Sequence, residues 1–116
     1  MAVRGLRRDE SIEEIKRFMH RAPVEEAILC GSRARGDHLR TSDVDLTLIS
    51  PRFEGTRPYR RLAELHQQWD ASLPFLEVLA YTPEEFAQAK ECLGIDQIAA
   101  VEGNRIILDQ TTDGDA

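Results

Sequence analysis

The segment from Gly31 to Leu46, GSRARGDHLRTSDVDL, brings two kinds of functional group close together. Its first half begins where an apolar stretch ending at Cys30 meets Gly31-Ser32 and a short helix. A strand that turns into a helix this way presents backbone N–H groups and the positive end of a helix dipole, and both favour a phosphate. Gly31 allows close approach of the backbone to a ligand, Ser32 adds a hydroxyl donor, and Arg33 and Arg35 add positive charge. The second half carries Asp43 and Asp45, two residues apart on an expected strand. Strand alternation puts both carboxylates on one face, with Cα atoms roughly 7 Å apart. Like charges held together repel unless a cation lies between them. Magnesium suits such a pair, because it takes oxygen ligands and is held by one or two carboxylates with substrate phosphates. Alone, Gly-Ser is an ordinary turn and Asp-x-Asp a solvated strand face. Together they predict a metal–nucleotide site.

The flanking sequence supplies elements to hold these groups. SIEEIKRFMHRA places Ile12, Ile15, Phe18 and Met19 on one helical stripe, and Ser11 with Glu14 reads as a capping box, so a helix is expected from Ser11. VEEAILC, residues 24–30, reads as a buried strand, and DVDLTLI, residues 43–49, as a strand with one apolar and one polar face. A loop over residues 51–58 leads to the amphipathic helix YRRLAELHQQWDA, residues 59–71, with Leu62, Leu65 and Trp69 inward. FLEVLAY, residues 75–81, is a third strand. Thr82-Pro83-Glu84-Glu85 then starts a helix running to about Cys92, through an N-cap, a proline at the first helical position and a capping-box glutamate. A short helix over residues 95–102 and an edge strand, RIIL, complete the order. This is an α/β domain with a single sheet and helices packed on it.

Composition narrows the class. The 116 residues suit one domain over residues 1–110, with an acidic disordered tail over residues 111–116. Hydrophobic residues at 41% and charged residues at 31% describe a globular chain. There is no run of 18 apolar residues to form a membrane span and no apolar stretch behind the basic N-terminus to form a secretory signal. Cys30 and Cys92 are far apart and read as reduced thiols of a cytoplasmic protein. A net charge of −6 argues against non-specific nucleic-acid binding.

At Gly31-Ser32-Arg33-Ala34-Arg35-Gly36, followed after five residues by Ser42-Asp43-Val44-Asp45-Leu46, the chain resembles the minimal nucleotidyltransferases. These belong to the DNA polymerase β-type nucleotidyltransferase superfamily, whose signature is Gly-Ser, a small helix, then Asp-x-Asp. The resemblance implies that family's fold, with a single mixed sheet. It also implies magnesium-dependent transfer of a nucleoside monophosphate from a triphosphate to an acceptor, with release of pyrophosphate. Asp43 and Asp45 would hold two magnesium ions, and Gly31, Ser32, Arg33 and Arg35 would face the nucleotide. The family adds a third carboxylate, most often aspartate, on a later strand. Here the strand FLEVLAY offers Glu77, which is either that ligand and general base or an edge-strand glutamate facing water.

Free-standing members of this kind look like antitoxins paired with a small helical HEPN-domain toxin. The resemblance therefore implies ATP as donor and a toxin tyrosine as acceptor. A contact inhibitor that keeps the fold without the chemistry, and an antibiotic-modifying enzyme, are the competing readings; the lack of an acceptor-binding domain weighs against the second. His38 reads as a solvated loop histidine. Arg61 and His66 have an arginine-x4-histidine spacing reminiscent of HEPN ribonucleases, but chance supplies that spacing easily in an arginine-rich chain, and it is set aside.

Overall fold

The computed structural model describes residues 3–94, 97 and 104–108. The elements in chain order are α1 (Arg8–Arg21), β1 (Glu26–Cys30), α2 (Gly31–Arg35), β2 (Val44–Ile49), α3 (Pro58–Gln68), β3 (Leu76–Tyr81), α4 (Pro83–Lys90) and β4 (Arg105–Ile107). Gln97 apart, the helix expected over residues 95–102 lies outside the described residues, as does the tail expected over residues 111–116. The four strands form one sheet in the order β3-β2-β1-β4. β1 runs antiparallel to β2 and β4, while β2 and β3 run parallel and are joined through α3. The fold is α/β with a single mixed sheet, as expected from the sequence.

Alternation divides the sheet. Ala27, Leu29, Val44, Leu46, Leu48, Leu76 and Val78 are buried on one face, in one cluster with Ile15, Phe18 and Met19 of α1 and Leu65 of α3. Trp69 meets Phe18 edge to face, with ring centroids 5.5 Å apart, which adds a directional term to apolar burial. The opposite face carries Cys30, Asp45, Thr47, Glu77 and Leu79, and the candidate site lies there.

Several boundaries differ from the sequence reading. Helix α1 starts at Arg8, with Arg7 as its N-cap and the Glu10 carboxylate accepting the Arg7 N–H at 2.8 Å. Ser11 and Glu14 are instead buried inside the helix. The Ser11 hydroxyl donates to the Arg7 carbonyl at 2.8 Å, and Glu14 pairs with Arg4 and Arg17 at 2.6 and 2.9 Å. A serine–glutamate pair that serves long-range partners has the same spacing as one that caps a helix. β1 begins at Glu26, because the Val24 N–H is spent on the Met19 carbonyl at the end of α1. Helix α3 stops at Gln68, where Trp69 turns extended. The start of α4 follows expectation: the Glu85 N–H donates to Thr82 Oγ1 at 3.2 Å and the Thr82 N–H to Glu85 Oε1 at 2.9 Å.

β3 is an edge strand, and three carbonyls along its outer side are occupied by side chains. Phe75 and Tyr81 accept inward, from the N–H groups of Val44 and Ser50. The carbonyls of Pro74, Leu76 and Ala80 take Trp69 Nε1, His66 Nε2 and Arg61 Nη1 at 2.9, 2.9 and 3.0 Å. Arg61 and His66 thus serve the sheet margin, which fits their dismissal as a nuclease pair.

Candidate active site

Sheet register builds the centre of the site. Asp45 of β2 lies between Cys30 of β1 and Glu77 of β3. The period-2 pattern turns all three to the face away from the core, and they line a cleft of about 410 Å³ with Thr47 and Leu79. The Asp45 and Glu77 carboxyls are within hydrogen-bonding reach. That contact, the Asp45 charge and slight desolvation raise Glu77 above its ordinary value of 4.5. Asp45 Oδ1 is buried and has no hydrogen-bond partner among the described residues. Two carboxyls in contact, one with an unsatisfied buried oxygen, form an arrangement that a cation would relieve.

Gly31 is shaped to this carboxylate. Its φ of +68° lies in the left-handed region, and a Cβ there would stand 2.0 Å from Asp45 Oδ2. Glycine is required on both counts. The group nearest the missing side chain is therefore Asp45 itself, which refines the expectation that Gly31 makes room for a ligand. Helix α2 is only five residues long and ends at Gly36 with φ +87°. Its aligned dipole is correspondingly short, so the N–H groups of its first turn are what it offers an anion. Among the described residues nothing engages the Ser32 hydroxyl; its carbonyl receives the N–H groups of Gly36 and Asp37.

The other expected site residues divide. Asp43 directly precedes β2; it is exposed ahead of buried Val44, so the alternation of Asp45 and Thr47 continues to it although it lies outside the ladder. No three His, Cys, Asp or Glu side chains among the described residues converge as a ready metal centre. Of the expected carboxylates, Asp45 and Glu77 come within hydrogen-bonding reach of each other across the β2–β3 pairing. Glu77 is exposed on an edge strand, as the bland reading held, yet its register partner is Asp45. Arg35 is exposed and pairs with Asp37 at 3.3 Å. It borders a second cleft, of about 510 Å³, beside Gly31, Ala34 and Ile28. Arg33 does not fit an anion-facing role. It is 1% exposed, and its guanidinium is committed to interior oxygens of Leu6, Ser11, Arg40 and Ser42. That placement corrects its assignment to the nucleotide: a fully engaged buried fork has no N–H left to aim at a phosphate.

Two cleft residues were missed in the sequence. Cys30 donates to the Ile28 carbonyl at 3.4 Å and lies 3.7 Å from Thr47 Oγ1. Burial above all, and Asp45 nearby, push its thiol up, making it a poor nucleophile. The signal available was alternation: Cys30, Thr47 and Asp45 share a face once the strands are paired.

The family model of the nucleotidyltransferase domain matches residues 11–104. The chain belongs to the nucleotidyltransferase domain family. The match spans both halves of the Gly31–Leu46 motif and the strand that carries Glu77. A search of curated proteins finds no match. Among solved structures the chain is similar to a "putative nucleotidyltransferase" from Sulfolobus solfataricus, with 17% identity and a TM-score of 0.58 over 86% of this chain and 80% of that one. At that identity the likeness shows the fold, and it is the nucleotidyltransferase-like fold the motif implied.

Membership fixes the general chemistry of the domain as nucleotide transfer, and so a nucleoside triphosphate as its substrate. The residues present fit a divalent cation: every donor is a carboxylate oxygen, one of them buried and unpartnered, and substrate phosphates complete such sites. Among the described residues no helix is long and apolar enough to cross a membrane.

Proposed function

We infer that this nucleotidyltransferase domain moves AMP from ATP to an acceptor hydroxyl with magnesium, and that the acceptor is a tyrosine of a small helical HEPN-type toxin. The carrying observation is the Asp45–Glu77 contact beside Gly31. It gathers negative charge where a cation would be needed and leaves a carboxyl at the open side of the cleft to take a proton.

In this reading Asp43 and Asp45 hold the metal, with Glu77 on the acceptor side. Magnesium bound there would neutralise phosphate charge and lower the pKa of the acceptor hydroxyl. The acceptor oxygen bonds to the α-phosphorus of ATP, the bond from that phosphorus to the bridging oxygen breaks, and pyrophosphate departs. Glu77 accepts the hydroxyl proton as general base. The first-turn N–H groups of α2 and the Ser32 hydroxyl stabilise the charge gathering on the leaving pyrophosphate, with Arg35 at the rim.

Glu77, a glutamate where the family most often has aspartate and exposed on its strand, favours a second reading, a contact inhibitor of the toxin with little or no transfer. One experiment separates the two. The purified chain is incubated with its toxin partner, magnesium and ATP, and the toxin is weighed by intact mass spectrometry. Transfer adds the mass of one AMP. Neutralisation without added mass, unchanged in Asp45→Asn, leaves contact inhibition. Absence of any complex removes the toxin from both readings.

A further inference from the structure

Arg33 is among the largest fully buried side chains of the molecule. Nη1 donates to the Leu6 carbonyl at 3.0 Å and to Ser11 Oγ at 2.9 Å. Nη2 donates to the carbonyls of Arg40 and Ser42 at 2.8 and 2.7 Å, and Nε reaches the same Ser42 oxygen at 3.2 Å. All four acceptors are neutral. Burying a cation among neutral partners is costly, and an apolar side chain would fill the same volume more cheaply if packing were its whole task.

The acceptors indicate what the guanidinium does. Ser42, which it grips twice, supplies the carbonyl half of the peptide unit whose nitrogen belongs to Asp43. On the far side of Asp43, the Val44 N–H is anchored to the Phe75 carbonyl at 2.8 Å. Arg40 is held as well, by Arg33 and by the Leu6 N–H at 2.8 Å. Asp43 therefore stands between two fixed peptide groups although its own side chain is exposed. Asp43 in turn supports the charge on Arg33 against the burial that lowers its pKa.

Resting on the nucleotidyltransferase reading, we propose that Arg33 is a positioning residue: its fork fixes the Ser42–Asp43 peptide, sets where the Asp43 carboxylate stands relative to Asp45, and does not touch the triphosphate. Groups behind metal ligands commonly alter metal affinity by about 10–100-fold when changed. Lysine keeps the charge but donates from a single point, so it cannot reproduce the grip on Ser42 and Arg40.

The test measures Mn2+ binding by electron paramagnetic resonance, with and without ATP, on wild type, Arg33→Lys and Ser11→Ala, beside pyrophosphate affinity and thermal melting. Arg33→Lys should weaken manganese about tenfold or more and leave metal-free pyrophosphate affinity unchanged. Ser11→Ala, which removes an Arg33 partner remote from Asp43, should lower the melting temperature and leave manganese affinity intact. Equal manganese loss in both variants, or a loss of pyrophosphate affinity with manganese preserved in Arg33→Lys, overturns the proposal. If Arg33→Lys does not fold, the Arg33 Nε–H resonance of wild type decides. It should exchange slowly with water and stay unmoved by pyrophosphate, and a shift on adding pyrophosphate overturns the role. A wild type that binds neither manganese nor ATP brings down the nucleotidyltransferase reading. A wild type that binds both, with Arg33→Lys its equal, brings down only the positioning role.

Discussion

Asp45 and Leu46 are neighbours in the chain and belong to opposite sides of one sheet. Leu46 is 2% exposed in the cluster shared with α1 and α3. Asp45 looks into a cleft where the Glu77 carboxyl stands within hydrogen-bonding reach. The same contrast recurs on β3, where Val78 is buried and Glu77 and Leu79 are exposed. On the packed side every contact lowers the free energy of the fold. Around Asp45 the arrangement works against it, through like charges in contact, a buried oxygen without a donor, and a glycine held at positive φ. Sites organised to bind a ligand are places where such conflicts are tolerated. The two sides should therefore answer mutation in opposite ways.

The largest effect is expected from Asp45→Asn. Removing this carboxylate should lower nucleotide transfer by roughly 10²–10³-fold, the range for losing one electrostatic stabiliser of a transition state. It should also raise the melting temperature of the metal-free protein, since it ends the repulsion with Glu77. Paired activity and melting measurements check both; a fall in stability would break the contrast between the faces. Leu46→Ala, one residue along, should do the reverse. It should cost about 2–5 kcal/mol of stability by denaturant unfolding, while the folded fraction keeps its affinity for ATP.

The smallest effect sharpens the comparison through pH. Because Asp45 raises Glu77, the folded state favours the protonated carboxyl. That stabilisation is complete below the ordinary value of 4.5 and is lost as pH rises through the higher folded value. Without metal, wild type should lose melting temperature against Glu77→Gln on going from acid to neutral pH. Excess magnesium should return the difference to wild type. Parallel melting curves for the two proteins across this range would separate Glu77 from Asp45.

Local pattern made much of this legible. Short apolar runs and, for β2 and β3, period-2 alternation located the strands within two residues, and Thr82-Pro83 with Glu85 marked the start of α4, because those signals depend on near neighbours. Asp45 and Gly31 were legible for the same reason. The pairing of Asp45 with Glu77 was not, since it depends on the register of β2 against β3, set across the α3 crossover. Arg33 misled most. An arginine beside a glycine–serine turn looks ready for a phosphate, and nothing local reveals that Leu6, Ser11, Arg40 and Ser42 converge on it. The exposed–buried alternation reaches Asp43 as read, although the ladder itself begins one residue later, at Val44.

The margin of β3 has one more consequence. A bare strand edge is a template on which a second chain can lay its backbone, and repeated addition builds cross-β stacks. Here Trp69, His66 and Arg61 already occupy the carbonyls that an incoming strand would need at Pro74, Leu76 and Ala80. These residues lie on α3 and at its C-cap, so protection lasts only while that helix stays docked. Phe75 and Leu79, 61% and 55% exposed, flank the same margin. Detaching α3 would uncover hydrogen-bonding capacity and apolar surface together, turning a guarded strand edge into a seed for polymer growth.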